Sequence, residues 1–157
     1  MSNMCVSERI DAPAPAVFAL ATDLDGWAGR IKAIKKIERL TPGPVRVGTR
    51  FRETRVMFGR EATEEMEFTS IEPDRGYSLA AASCGCDYRF TFRLEPDGGG
   101  SRLTATFEGR PQTLTAKLMA PLFWFMRGTM RKCLEQDIRD LKQAAERGAG
   151  GPAGRAS

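Results

Sequence analysis

The first candidates for chemistry are charged side chains set among apolar ones on neighbouring strands. In GTRFRETRVM, residues 48–57, Phe51, Glu53, Arg55 and Met57 alternate with Arg50, Arg52, Thr54 and Val56. Glu64, Met66 and Phe68 alternate in the same way on the next segment. If the aromatic side of these strands faces inward, the charges do too, and buried charges must be paired. An internal set of Glu53, Arg55 and Glu64 could orient the polar head of a ligand. It could also serve as acid and base in a cyclisation or dehydration. The alternative is a reversed phase, or charges at an open sheet edge that reach out to water.

The second candidate is SCGCDYRF, Ser83 to Phe90, in a chain with four cysteines and no histidine. A zinc site needs about four nitrogen or sulfur ligands in a tetrahedral array. Cys84 and Cys86 would need both Cys5, on the first strand, and Cys133, on the last helix. No metal site and no cofactor are expected. Two cysteines one residue apart also close a very small ring, for which disulfide geometry is hard to reach. A hairpin accounts for more: Cys84-Gly85 supplies the tight turn, and Cys86 falls in phase with Tyr88 and Phe90. Cys86 is then a small buried apolar residue, or a thiol at the rim of a cavity.

Composition bounds the rest. The 157 residues are the size of one domain, expected over 1–147, with a flexible tail over 148–157. The net charge is +4 with acids and bases interleaved, so no nucleic-acid partner is expected. The densest basic run, Arg127 to Lys132, is followed by Glu135, Asp137 and Asp140, as on a solvated helix face. The N-terminal segment has no apolar core of a secretory signal, no window reaches the length of a membrane span, and the chain reads as cytoplasmic.

The elements that must position these residues follow from periodicity. A short strand, Val6 to Ile10, precedes a helix announced by Asp11-Ala-Pro, with Asp11 or Ala12 at its cap. A second short helix spans about Asp23 to Arg30, and a weak strand runs from Ala33 to Leu40. Strands then follow over Gly48–Met57, Glu61–Ile71, Tyr77–Ser83, Cys86–Leu94 and Ser101–Gly109. Tyr88, Phe90, Phe92 and Leu94 are placed inside, with Phe90 and Phe92 toward the terminal helix. The period changes at Gln112. Leu114, Leu118, Leu122, Phe125 or Met126, Met130, Cys133 or Leu134, Ile138, Leu141 and Ala145 trace one face of a helix to Arg147, kinked at Pro121 and stopped at Gly148.

This order resembles the START/Bet v 1-like (SRPBCC) superfamily, in particular its bacterial polyketide cyclase/dehydrase and lipid transport group. The resemblance covers residues 4 to 147. It is carried by ERIDAPAPAVFALATDLDGWAGRI, VGTRFRETRVMFGR, EPDGGGSRLT and MAPLFWFMRGTMRKCLEQDIRDLKQAAE. It implies an α+β helix-grip fold: a bent antiparallel sheet of six to seven strands around a long C-terminal helix, with two short helices after the first strand. It also implies a cavity between sheet and helix. The ligand-lining residues expected there are Trp27, Phe51, Glu53, Arg55, Glu64, Met66, Tyr77, Cys86, Tyr88, Phe90, Leu122 and Met126. Trp27 resembles an aromatic that closes one end of such a cavity.

Three functions fit. The first is carriage or sequestration of a hydrophobic small molecule such as a lipid, quinone or polyketide. The second is a cyclase, aromatase or dehydratase using cavity carboxylates and tyrosines, without the usual histidine base. The third gives LMAPLFWFM, residues 118–126, to a partner. This stretch is apolar on nearly all sides, and it is assigned first to core packing, then to a cavity lip, a dimer surface or a transient membrane contact. The chain is expected to be a monomer or weak homodimer.

Overall fold

The computed structural model describes residues 2–57, 59–83 and 85–150. Strand β1 (Ser2–Ile10) leads to α1 (Ala14–Ala21), a 3-10 turn (Leu24–Gly26) and α2 (Trp27–Arg30). Then come β2 (Ile34–Arg39), β3 (Arg50–Met57), β4 (Arg60–Glu72), β5 (Gly76–Ser83), β6 (Cys86–Asp97) and β7 (Gly100–Pro111). Three helices follow, α3 (Leu114–Leu118), α4 (Ala120–Phe125) and α5 (Arg127–Gly150).

The strands form one antiparallel sheet in the order β1-β7-β6-β5-β4-β3-β2. Each strand from β2 to β7 pairs with its sequence neighbour. β1 is carried to the far edge, and α1 and α2 span the distance between the two edges. Met4 of β1 and Ile34 of β2 nonetheless share one buried cluster with Leu134, Ile138, Leu141 and Ala145 of α5. The sheet therefore wraps the helix, the helix-grip arrangement. Burial of such large apolar side chains stabilises by about 1.5–3 kcal/mol each.

The C-terminal half of α5 is fastened by polar contacts. The Asp11 N–H donates to Glu146 Oε2 at 2.8 Å, and Lys142 Nζ meets Glu8 Oε1 at 3.2 Å. The Lys32 N–H donates to Asp140 Oδ2 at 3.0 Å. Asp140 also accepts from Gln136 Nε2 at 2.9 Å and is buried.

Several boundaries differ from the expectation. Pro13, not Asp11 or Ala12, caps α1 without a side-chain bond, and Pro15 sits in the first turn where its missing N–H costs nothing. β1 begins at Ser2, and β6 and β7 extend through the EPDGGG segment until Gly98 and Gly99 turn the chain with positive φ. The single kinked helix is instead three. Pro121 cannot donate to residue 117 and its ring crowds that carbonyl, so the first helix ends at Leu118. α4 and α5 meet at Met126, whose N–H bonds Leu122 and whose carbonyl receives Met130. α5 then continues through Gly148 to Gly150, past the expected stop.

The break overturns the expected inward face of this region. Leu114, Leu118 and Phe125 are 74%, 73% and 83% exposed, and Leu122 and Trp124 are also on the surface. Once α3 and α4 leave the line of α5, only Ala116 of α3 remains buried, so core packing does not account for 118–126.

Candidate functional site

β3 turns Phe51, Glu53 and Arg55 inward, and β4 sets Glu64 directly opposite Glu53 and Met66 opposite Phe51. Charges on these strands survive burial because they meet one another. Arg55 Nε lies 2.6 Å from Glu53 Oε1, two residues along the same strand face. Arg55 Nη1 lies 2.9 Å from Asp137 Oδ2, which α5 brings down onto the sheet. Glu64 completes a group of three carboxyls around one guanidinium.

This ratio sets the electrostatics. Burial alone would lower the Arg55 pKa, but the charges of Glu53 and Asp137 outweigh it and hold the guanidinium protonated. The Asp137 carboxyl is pushed up to about 6, first by burial and against the pull of Arg55. Glu64 is also raised, by burial and then by Glu53. Tyr77 is raised by burial and by Glu53, so its phenol stays neutral. Asp137 Oδ1 is buried and has no hydrogen-bond partner among the described residues. An acceptor in that condition costs about 1–3 kcal/mol until a donor reaches it.

Three cavities run in series along α5. The innermost, about 60 Å³, lies among Trp27, Tyr77, Phe92, Ile138 and Leu141. Trp27 is one of its walls, with Nε1 donating to the Ala21 carbonyl at 3.1 Å. The next, about 90 Å³, holds Glu64, Phe107, Met130 and Cys133. Glu53, Arg55, Met66, Phe90, Leu134 and Asp137 line both, so the charged group is their common wall. The outermost, about 380 Å³, shares Met4, Phe107 and Met130 with the second and opens among Cys86, Tyr88, Pro121, Trp124 and Arg127. Of the three, only the outermost has the size of a small-molecule site, usually about 300–1,000 Å³. A larger concavity, about 590 Å³, lies on the opposite face of the sheet. Its walls are alternating charges, such as Arg50 with Glu65, over a floor of Ala80 and Ala82. Seven of its thirteen lining side chains carry charge, and no buried polar atom without a partner faces it among the described residues.

The comparisons with known proteins agree with this architecture. Residues 1–146 match the family described as polyketide cyclase / dehydrase and lipid transport. The chain belongs to that family.

Among solved structures, it is similar to the Zhui aromatase/cyclase from Streptomyces sp. R1128, at 18% identity and a TM-score of 0.73, covering 96% of this chain and 98% of that one. TTHA0849 from Thermus thermophilus gives 21% identity, a TM-score of 0.71 and coverage of 92% and 97%. Ara h 8.0201 gives 16% identity, a TM-score of 0.64 and coverage of 92% and 97%. These likenesses bear on the fold, which is the Bet v 1-like helix-grip fold. No curated protein sequence matches the chain significantly.

In this member of the polyketide cyclase/dehydrase and lipid transport family, nine of the twelve expected lining residues border the cavities: Trp27, Glu53, Arg55, Glu64, Met66, Tyr77, Cys86, Tyr88 and Phe90. Three do not. Phe51 is fully buried in ring contacts with Trp27 and Phe68, Leu122 points largely to solvent, and the half-buried Met126 joins α4 to α5. Cys84 lies outside the described residues, but Gly85 does form the hairpin tip with φ 75°. A Cβ there would sit 2.4 Å from Thr113 Oγ1, and the Gly85 carbonyl accepts from the Gln112 N–H at 2.7 Å. Cys5, Cys86 and Cys133 are free thiols, and among the described residues no group of three potential ligands is arranged for a metal.

The residue that sequence reasoning missed is Asp137. Together with Asp140 it belongs to the acids expected to neutralise Arg127 to Lys132, yet both turn into the protein. Its spacing gave the signal: Asp137 falls on the same helix face as Leu134, Ile138 and Leu141.

Proposed function

We propose that the protein binds a hydrophobic small molecule with a hydrogen-bond-donating head in the cavities beside α5. The observation that carries this reading is the buried Asp137 Oδ1, without a partner among the described residues, at the polar end of a largely apolar path. The body of the ligand occupies the 380 Å³ space against Phe107, Tyr88 and Met130, and its hydroxyl points toward Asp137. The inner cavities hold only a few waters, so the head displaces water there rather than filling an empty chamber.

A titration with 2-naphthol and 2-methoxynaphthalene tests this. Trp27 and Trp124, the two tryptophans of the chain, stand at opposite ends of the path and report by fluorescence. A hydrogen bond to a charged acceptor contributes about 1.5–3 kcal/mol, so 2-naphthol binds roughly ten- to a hundredfold more tightly. Equal affinities would remove the head-group assignment, and no binding of either would remove the cavity assignment.

The Asp137 carboxyl near pH 6 favours a second reading, cyclisation or dehydration of a polyketide-like substrate. A carboxyl titrating close to neutrality can take a proton from carbon and return one to oxygen. Asp137→Asn would then abolish turnover, and the wild-type rate would rise or fall through pH 6. A rate independent of Asp137 would exclude it as the acid or base.

A further inference from the structure

The net charge of the chain is not spread over it. Of 24 lysines and arginines and 20 acids, residues 109–134 contain five of the former and none of the latter. The remaining chain carries 19 against 20 and is close to neutral. The five are Arg110, Lys117, Arg127, Arg131 and Lys132, all exposed. Asp137 and Asp140 do not neutralise them, being turned inward on Arg55 and on the backbone of Lys32. Glu135 engages Arg131 at 3.1 Å, and Arg127 donates to the Asn3 carbonyl at 3.2 Å, which leaves its charge in place.

The same segment presents the exposed Leu114, Leu118, Leu122, Trp124 and Phe125. α3 and α4 have five and six residues, far too short to span a bilayer at 1.5 Å per residue, but their exposed apolar side is suited to lie in its surface. Trp124, beside cationic side chains, is the residue type favoured at the boundary of headgroups and acyl chains.

We infer that α3 and α4 form a docking surface for an anionic lipid bilayer, onto which the mouth of the 380 Å³ cavity opens. Ala116, Ala120, Pro121 and Trp124 line that cavity from within, while Leu118 and Phe125 face outward from the same two helices. A ligand dissolved in the bilayer enters past Trp124 without crossing water. Charge complementarity decides the occupant: a second copy of the chain would set one basic segment against another, whereas an anionic bilayer neutralises it. The entry route rests on the ligand-binding reading above; the docking surface does not.

Flotation with vesicles of phosphatidylcholine, with and without one-third phosphatidylglycerol, tests the inference. The wild-type protein floats with the anionic vesicles at least tenfold more than with the neutral ones, and salt reverses this. Leu118→Glu with Phe125→Glu abolishes flotation, as does Lys117→Glu with Lys132→Glu, and neither pair touches the cavity wall. Retained 2-naphthol binding in both variants shows that they are folded. Failure of the wild type to float at low salt would overturn the docking surface, as would flotation unaffected by either pair. So would sedimentation showing a stable dimer that both pairs dissociate. If flotation holds but 2-naphthol does not bind, the docking surface stands and the cavity reading falls.

Discussion

The sharpest consequence of the buried cluster concerns Asp137 and pH. Its carboxyl titrates near 3.8 in an unfolded chain and near 6 in the folded protein. The folded state therefore holds the proton more tightly. Its contribution to stability is fully present below pH 3.8 and is lost as pH rises through 6. Two pKa units correspond to about 3 kcal/mol between these limits. Asp137→Asn removes the titration while keeping an oxygen that can accept from Arg55 Nη1. The difference in unfolding free energy between variant and wild type isolates this one group, because Glu64 and the other carboxyls are common to both. Urea denaturation at pH 4, 5, 6, 7 and 8 measures it. The variant gains on the wild type by roughly 2.5 kcal/mol between pH 4 and 8, with a little under half of that reached by pH 5. A flat difference would mean that the Asp137 carboxyl is not raised in the folded protein. A variant that loses ground as pH rises would invert it, because it would mean that Arg55 stabilises the carboxylate more than burial penalises it.

Two further perturbations examine the scaffold. Gly85→Ala forces a side chain into a backbone with φ 75° and against Thr113 Oγ1, so it lowers unfolding free energy by about 1–3 kcal/mol in the same denaturation assay. Asp140→Ala leaves the Lys32 N–H without its acceptor and costs about 1–3 kcal/mol, with faster hydrogen exchange at that amide as the local signature.

Much of this fold was legible because its strands alternate, although charges on both faces left the phase of Glu53, Arg55 and Glu64 open. Phe51, Glu53 and Arg55 keep one phase, and so do Glu64, Met66 and Phe68. The two register shifts fall where they do no harm. One lies at Ile34 to Lys36 on β2, and the other follows Phe68 on β4, beyond Glu64 and Met66. A bulge two residues earlier would have turned Met66 or Glu64 outward.

The C-terminal region was less legible, for a physical reason. The face Leu114, Leu118, Leu122 and Phe125 has the spacing of a buried helix, and periodicity alone does not say whether a protein core or another medium covers it. Pro121 signalled an interruption, but not that the two turns before α5 would lie across the cavity mouth. Asp137 was hidden in the same way. An acid that follows basic residues, with Glu135 and Asp140 beside it, reads as solvated until β3 is known to offer Arg55. The partners of a buried charge are set by tertiary register, which a single sequence does not carry.

Intermolecular NOEs from bound 2-naphthol test the cavity beside α5 most directly. Contacts are expected from the naphthalene ring protons to the methyl groups of Met4 and Met130, and from the hydroxyl-bearing ring toward Leu134. Contacts to the methyl groups of Ala80 and Ala82 instead would place the ligand on the outer face of the sheet and contradict the cavity assignment.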